Sequence, residues 1–344
     1  MPVIEIDRPI TLPAARGPVS AALIAALLTD PGQPHLSHEL AWTGRHADAM
    51  DDEDLQLALF LAYELHYRGL AGVDENWEWQ PDLLAARGRW EHEMLAGLYA
   101  AAGFPTDLAQ PDASSTTRRL FSMAENDRGL SLSKFLMRDA TPEQFREFLT
   151  HRSLYHLKEA DPHTWAIPRL SGSVKAAMIS IQSDEYGSGR LAAMHARLFA
   201  DLLENWDLDS GYGHYLDRVP AITLLATNVI SLFGLRRRWR GALVGHLAMF
   251  EMTSSVPNGR YARGHRRLGG SEPAARFFDE HVVADSVHEQ LAAYDLAGGM
   301  VRQEPGLSGD VVFGARCAQL VDERFAAYAI PRWQQGQTTL RAAA

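Results

Sequence analysis

The spacing of the apolar residues restricts the fold of this chain more than any other feature. They recur at intervals of three and four along almost its whole length, and no block of alternating Val, Ile and Thr bounded by hairpin turns interrupts them. An all-α protein is expected. Helices are predicted over Ser20 to Leu28, Glu53 to Tyr67 and Pro81 to Ala102, with Ser20 as an N-cap and Pro81 in a first turn that tolerates it. Further helices are predicted near Pro142 to Lys158, Ser173 to Leu203, Ala221 to Ser254, Glu272 to Gly298 and Val311 to Ala329. Breaks are expected at Asp161-Pro162, Pro168, Gly211 to Gly213, Pro257 to Gly259 and Pro305-Gly306. Gly103 to Thr117, with Pro105, Pro111, Asp112, Ser114 and Ser115, has the most linker-like composition. It divides the expectation into an N-terminal helical region over 1–112 and a second domain over 113–335.

Composition removes several classes of function. A chain of 344 residues with 46% hydrophobic and 22% charged residues can bury a core. With Lys+Arg 33 against Asp+Glu 43, the formal charge of -10 would repel a phosphate backbone, so nucleic acid is not expected as a partner. Cys317 is the single cysteine. It allows no internal disulfide and no thiolate cage, which points to a cytoplasmic protein in which any metal is held by His and carboxylates. The N-terminus lacks the pattern of a signal peptide. Ala221 to Leu235, the longest apolar stretch, carries Thr223, Thr227, Asn228 and Ser231 and reads as a buried core helix, so no membrane partner is expected.

The sharpest local signal is His281-Val-Val-Ala-Asp285-Ser-Val-His288. At 100° per residue the three side chains fall at about 0°, 40° and −20°, one narrow stripe over two turns of helix. Two imidazoles and a carboxylate suit Fe, Mn or Zn. The solvated face of an amphipathic helix would show the same triplet, and the spacing alone does not choose. Glu-x-x-His and His-Glu-x-x-His are both absent, although His92-Glu93 offers the first half of the latter. Gly187-Ser-Gly189-Arg-Leu-Ala192 resembles a dinucleotide-binding turn but follows no predicted strand. Glu159, Glu185, His195 and Glu251 remain as polar groups on apolar helices. Glu251 stands in Val-Gly-His-Leu-Ala-Met-Phe-Glu-Met, where a buried carboxylate requires a partner. Glu185 and His195 lie about 280° apart on a regular helix, so they share a face only if Gly187 and Gly189 permit a kink or bulge.

In the order Glu185…His195…Glu251…His281-x3-Asp285-x2-His288, the chain resembles the heme-oxygenase-like di-iron oxidases and oxygenases, the iron-containing redox enzyme family. The flanking runs Glu159 to Pro168, Asp184-Glu185-Tyr186-Gly187 and Leu243 to Ser254 share the resemblance, which covers roughly residues 140 to 330. It implies a bundle of about seven helices, with an N-terminal helical region that in similar proteins supports a homodimer. It further implies two Fe ions cycling between Fe(II) and Fe(III), O2 as co-substrate, and an external reductant as electron donor. Metal ligands would be Glu185, His195, Glu251, His281, Asp285 and His288, with no catalytic residue beyond them. Glu159 resembles an additional carboxylate of N-oxygenating members, and its spacing to Glu185 is that of the nitrosourea-forming branch. That branch carries a C-terminal cupin domain. This chain ends soon after Pro331, so the cupin's rearrangement is not expected.

The reading that follows is an O2-dependent oxygenase that N-oxygenates a small amine or amino-acid-like substrate. Oxidative C–C cleavage or desaturation of an amino or fatty acid at the same site is the alternative, and a metal-free helical binding or dimerising protein is the alternative from another class. His156, three residues before Glu159, is a candidate support for the ligands, and Arg240 a candidate partner for a buried or substrate carboxylate. His246 is expected in the core. Trp165, Tyr186, Tyr212 and Tyr215 are core or pocket aromatics. Glu64, His66 and the cluster Glu91-His92-Glu93 are expected as surface or dimer contacts.

Overall fold

The computed structural model describes residues 8–32, 40–44, 49–103, 112–126 and 129–342, and at 285 and 286 the backbone alone. Helices dominate. Among the described residues no named strand occurs, and an isolated parallel bridge between Ile10 and Leu70 supplies the β-type pairing. The N-terminal region holds α1 (Pro18–Leu27), α2 (Glu53–Glu64) and α3 (Pro81–Ala102), followed by α4 (Ala113–Glu125) and α5 (Leu132–Arg138). Next come α6 (Pro142–His156), the one-turn α7 (Asp161–Thr164), α8 (Gly172–Glu185), α9 (His195–Asn205) and α10 (Ala221–Leu235). The chain closes with α11 (Arg240–Thr253), α12 (Ser255–Arg267), α13 (Glu272–Gln290), α14 (Gly298–Gln303) and α15 (Ser308–Gln334). A π-helical stretch, Leu291–Ala297, joins α13 to α14 without a break.

Local chemistry explains where the helices depart from the pattern. Ser20 is not the N-cap of α1. Gly17 takes that position, while Asp54 of α2 accepts from the backbone N–H groups of Val19 (2.8 Å) and Ser20 (2.6 Å), so a neighbouring helix supplies the cap. Pro257 to Gly259 does not interrupt α12: Pro257 is its third residue, where the missing N–H has no helical acceptor within α12 to satisfy, and the helix runs on through Gly259. The expected break at Asp161-Pro162 is present: α6 has ended at His156, and the pair opens the separate one-turn α7. Residues 113–117 are helical, with Asp112 accepting from Ser115 N–H at 2.8 Å as their cap. The long helix predicted over Ala221 to Ser254 divides at Arg236. There the side chain leaves for Glu91 of α3 (2.7 Å), and Arg238 for Asp310 of α15 (2.5 Å).

One hydrophobic core runs from Leu23 and Leu55 in the N-terminal helices to Phe313 in α15. Its centre is α10, buried along nearly its whole length; among the described residues no helix is long and apolar enough to cross a membrane. The closest helix crossing is that of α11 on α15. A Cβ at Gly245 would lie 1.8 Å from the Val311 carbonyl oxygen, and one at Gly314 would lie 1.9 Å from that of Ala242. Both glycines are required for the two backbones to touch, and that contact sets the height of Glu251 at the far end of α11.

Glu64, His66 and Glu91 are buried, contrary to the expectation of surface positions. Each has a partner that the sequence places far away. Glu64 Oε2 accepts from Lys158 Nζ and from the Tyr212 hydroxyl, both at 2.7 Å, and the ammonium lies 4.2 Å from the Tyr67 ring centroid. His66 Nδ1 is 3.0 Å from Glu78, and Glu91 lies between Arg87 and Arg236. The Lys158–Glu64 pair fastens the N-terminal helices to the residue next to Glu159. His92 is exposed.

Candidate metal centre

The turn after α8 builds the first half of the site. Gly187 (φ 61°), Ser188 (φ 51°) and Gly189 (φ 77°) all adopt the left-handed conformation, and a Cβ at Gly187 would stand 2.5 Å from the Ala193 carbonyl carbon. This turn ends one helix at Glu185 and starts the next at His195. It brings His195 Nδ1 to 2.9 Å from Glu185 Oε2, which a continuous helix would forbid. The Gly-x-Gly run therefore forms a reversal between two helices and not a strand-to-helix turn.

Glu159 reaches the same point from the turn that follows α6. Its Oε1 is 2.8 Å from His156 Nδ1, and its Oε2 is 3.6 Å from His281 Nε2. His281 donates from Nδ1 to the Phe277 carbonyl oxygen at 2.7 Å, which fixes the tautomer and leaves the Nε2 lone pair facing Glu159. Glu159, Glu185, His195 and His281 each offer a ligand atom, and these atoms lie within 4.8 Å of one another. All four residues are buried.

Glu159 Oε2 makes no hydrogen bond, and the 2.9 Å approach of His195 Nδ1 to Glu185 Oε2 lacks hydrogen-bond geometry, so it leaves both atoms unsatisfied. Buried polar atoms left in that state are costly, and several converging on one point are what a cation between them would satisfy. The nitrogen and carboxylate-oxygen donor set fits iron. Charge distribution agrees. Burial alone would raise the Glu159 carboxyl, yet His156 and His281 hold it well below the usual carboxylate range. Burial lowers His195 while the Glu185 carboxylate overrides it and raises it.

Glu251 and His288 stand together beside this group. His288 Nδ1 is 3.1 Å from Glu251 Oε2, and its Nε2 is 2.9 Å from Asp184 Oδ2. Burial opposes protonation of this imidazole, but the two carboxylates push it up to about 9. Glu251 also lines the cavity reached by Glu159, Glu185 and His281, which has a volume of about 240 Å³. The side chain of Asp285 lies outside the described residues. Asp184 is the residue that sequence reasoning missed as a partner. Its adjacency to Glu185 was the available signal, since a helix end lets neighbouring side chains diverge to two sites.

The remaining candidates are placed plainly. His156 touches Glu159, as already given. Arg240 opens α11, eleven residues and about 16 Å along the axis from Glu251, and pairs with Glu304, so it does not reach the site. His246 is buried 3.3 Å from His163 Nε2. Tyr186 donates to Asp161 (2.8 Å), Tyr212 to Glu64, and Tyr215 approaches His214, none of them at the cluster.

A helical bundle enclosing a buried carboxylate–imidazole cluster of this kind is a scaffold for a metal ion, and the family of the chain makes it an iron-dependent oxidoreductase. The sequence profile described as Iron-containing redox enzyme, of heme-oxygenase-like type, matches residues 146–323, a little over half of the chain, and the chain belongs to that family. No curated protein matches it.

Proposed function

We propose that the protein is a non-heme di-iron, O2-dependent oxygenase that N-oxygenates a small amine or amino-acid-like substrate, working as a homodimer in the cytoplasm. The observation that carries this reading is the position of Glu159. Its carboxylate joins Glu185, His195 and His281 within one 4.8 Å group, a further anionic donor beside the ligands expected of the wider family. Glu159, Glu185, His195 and His281, with Glu251, His288 and Asp285, would hold the two irons. Bound iron would supply O2 activation with electrons from an external reductant.

The chain's own groups prepare the site for that chemistry. His156 orients Glu159 through its Oε1 and leaves Oε2 directed inward. Glu251 and Asp184 hold a proton on His288, so cation binding at that imidazole would release it. Tyr155 faces the cavity; burial, then the charges of Glu159, Glu185 and Glu251, keep its phenol protonated. Phe199, Phe250 and Leu247 exclude bulk water from the inner end.

Iron content and O2 coupling of two variants test the proposal. Glu185→Ala is expected to lose iron and all O2 consumption. Glu159→Ala is expected to keep most of its iron but to consume O2 without forming oxygenated amine. Wild-type coupling in Glu159→Ala would remove the reason for N-oxygenation, and full iron content in Glu185→Ala would refute the metal site itself.

A further inference from the structure

The cavity that begins at Glu159 and Glu185 has aromatic walls at its middle and charged groups at its outer end. Arg152, Arg260, Asp322 and Glu323 line that end. The two cations and two anions balance formally, but they are not paired with one another one to one. Arg152 is 3.0 Å from Asp322 Oδ1 and lies against the rings of Phe148 (5.8 Å) and Phe325 (5.7 Å). Glu323 is held by Arg316 through two bonds of 2.7 and 2.9 Å. Arg260 donates to the Ser133 hydroxyl at 3.3 Å and pairs with no carboxylate among the described residues.

Arg260 lines the same cavity as Glu159, Glu185 and His281. We propose that Arg260 is the receptor for a substrate carboxylate, and that the substrate is an amino acid whose carboxylate is held at Arg260 while its nitrogen reaches the cluster. A guanidinium without a carboxylate partner matches a carboxylate in geometry as well as charge. The identity of the reacting atom rests on the N-oxygenase reading. Recognition of the head does not require iron.

Calorimetric titration of the iron-loaded protein with 6-aminohexanoate and with hexylamine, which lacks the carboxylate, tests the assignment. The acid is expected to bind at least about tenfold more tightly than the amine. Arg260→Gln should erase that preference and Arg260→Lys should restore part of it, with iron content and melting temperature unchanged in both. A wild type that binds the acid no better than the amine, binding of neither included, overturns the assignment. So does a preference that survives Arg260→Gln. Acid preference without iron uptake or O2 consumption would sink the oxygenase reading and leave the receptor standing; iron uptake and O2 consumption without the preference would do the reverse.

Discussion

Buried histidines make the stability of this protein acid-sensitive. His151 bridges two hydroxyls, Thr223 Oγ1 at 2.6 Å and Thr339 Oγ1 at 2.9 Å, and burial lowers it to about 3 against the opposing charge of Glu147. Burial lowers His163 to about 4 and takes His246, its hydrogen-bonded partner, well below the ordinary value. His151 and His163 are therefore neutral in the fold at pH 5, whereas in the unfolded chain they protonate below about 6.5. The unfolded state then binds more protons, so stability is fully present above pH 6.5 and is lost as pH falls toward 4 and 3. At pH 5 these two groups account for about 2 kcal/mol each, about 4 kcal/mol together, a large part of the stability of a typical domain. His288 works in the opposite direction over another window. Raised to about 9, it contributes stability that is complete below 6.5 and disappears as pH rises through 9. The iron-free protein should therefore be most stable near pH 6.5. Urea unfolding followed by tryptophan fluorescence between pH 5 and 9 measures this. His151→Gln, which keeps two hydrogen-bonding groups but does not titrate, should flatten the acid limb by about 2 kcal/mol at pH 5. A urea midpoint unchanged from pH 7 to pH 5, or an acid limb untouched in His151→Gln, would refute the reasoning.

Two further outcomes depend on packing. Glu64→Gln leaves the Lys158 ammonium buried without its counter-charge and should cost about 3–5 kcal/mol in urea unfolding; a loss below about 1 kcal/mol would show the pair to be hydrated. Gly245→Ala drives a methyl into the Val311 carbonyl and should cost about 3 kcal/mol, the upper end for overpacking, measured as a fall in melting temperature; an unchanged melting temperature would mean that α11 and α15 separate freely.

The local sequence determined the fold class. A three-and-four apolar period with no alternating segment allows helices to bury one face and gives a sheet nothing to bury, and the helices appear where that period runs. It also made the stripe of His281 and His288 readable, because two residues seven apart on one helix share a face whatever the helix packs against. Glu185 and His195 were legible only as an assumption. Their approach depends on left-handed backbone at Gly187, Ser188 and Gly189, and the serine's conformation is imposed by its surroundings rather than by its type. Ser20 as a cap failed because the helix end takes its partner from Asp54 of the helix packed on it, and Pro257 to Gly259 as a break failed because a proline so near a helix start removes no helical hydrogen bond. What only the tertiary structure decided is the pairing of distant charges: Glu64 with Lys158, Asp184 with His288, and Arg240 with Glu304 rather than with Glu251. Periodicity records which face of a helix is apolar, a property of residues a few positions apart. The partner of a buried charge is fixed by how whole helices cross, and in this chain that turns on contacts such as Gly245 against Val311, which no local pattern encodes.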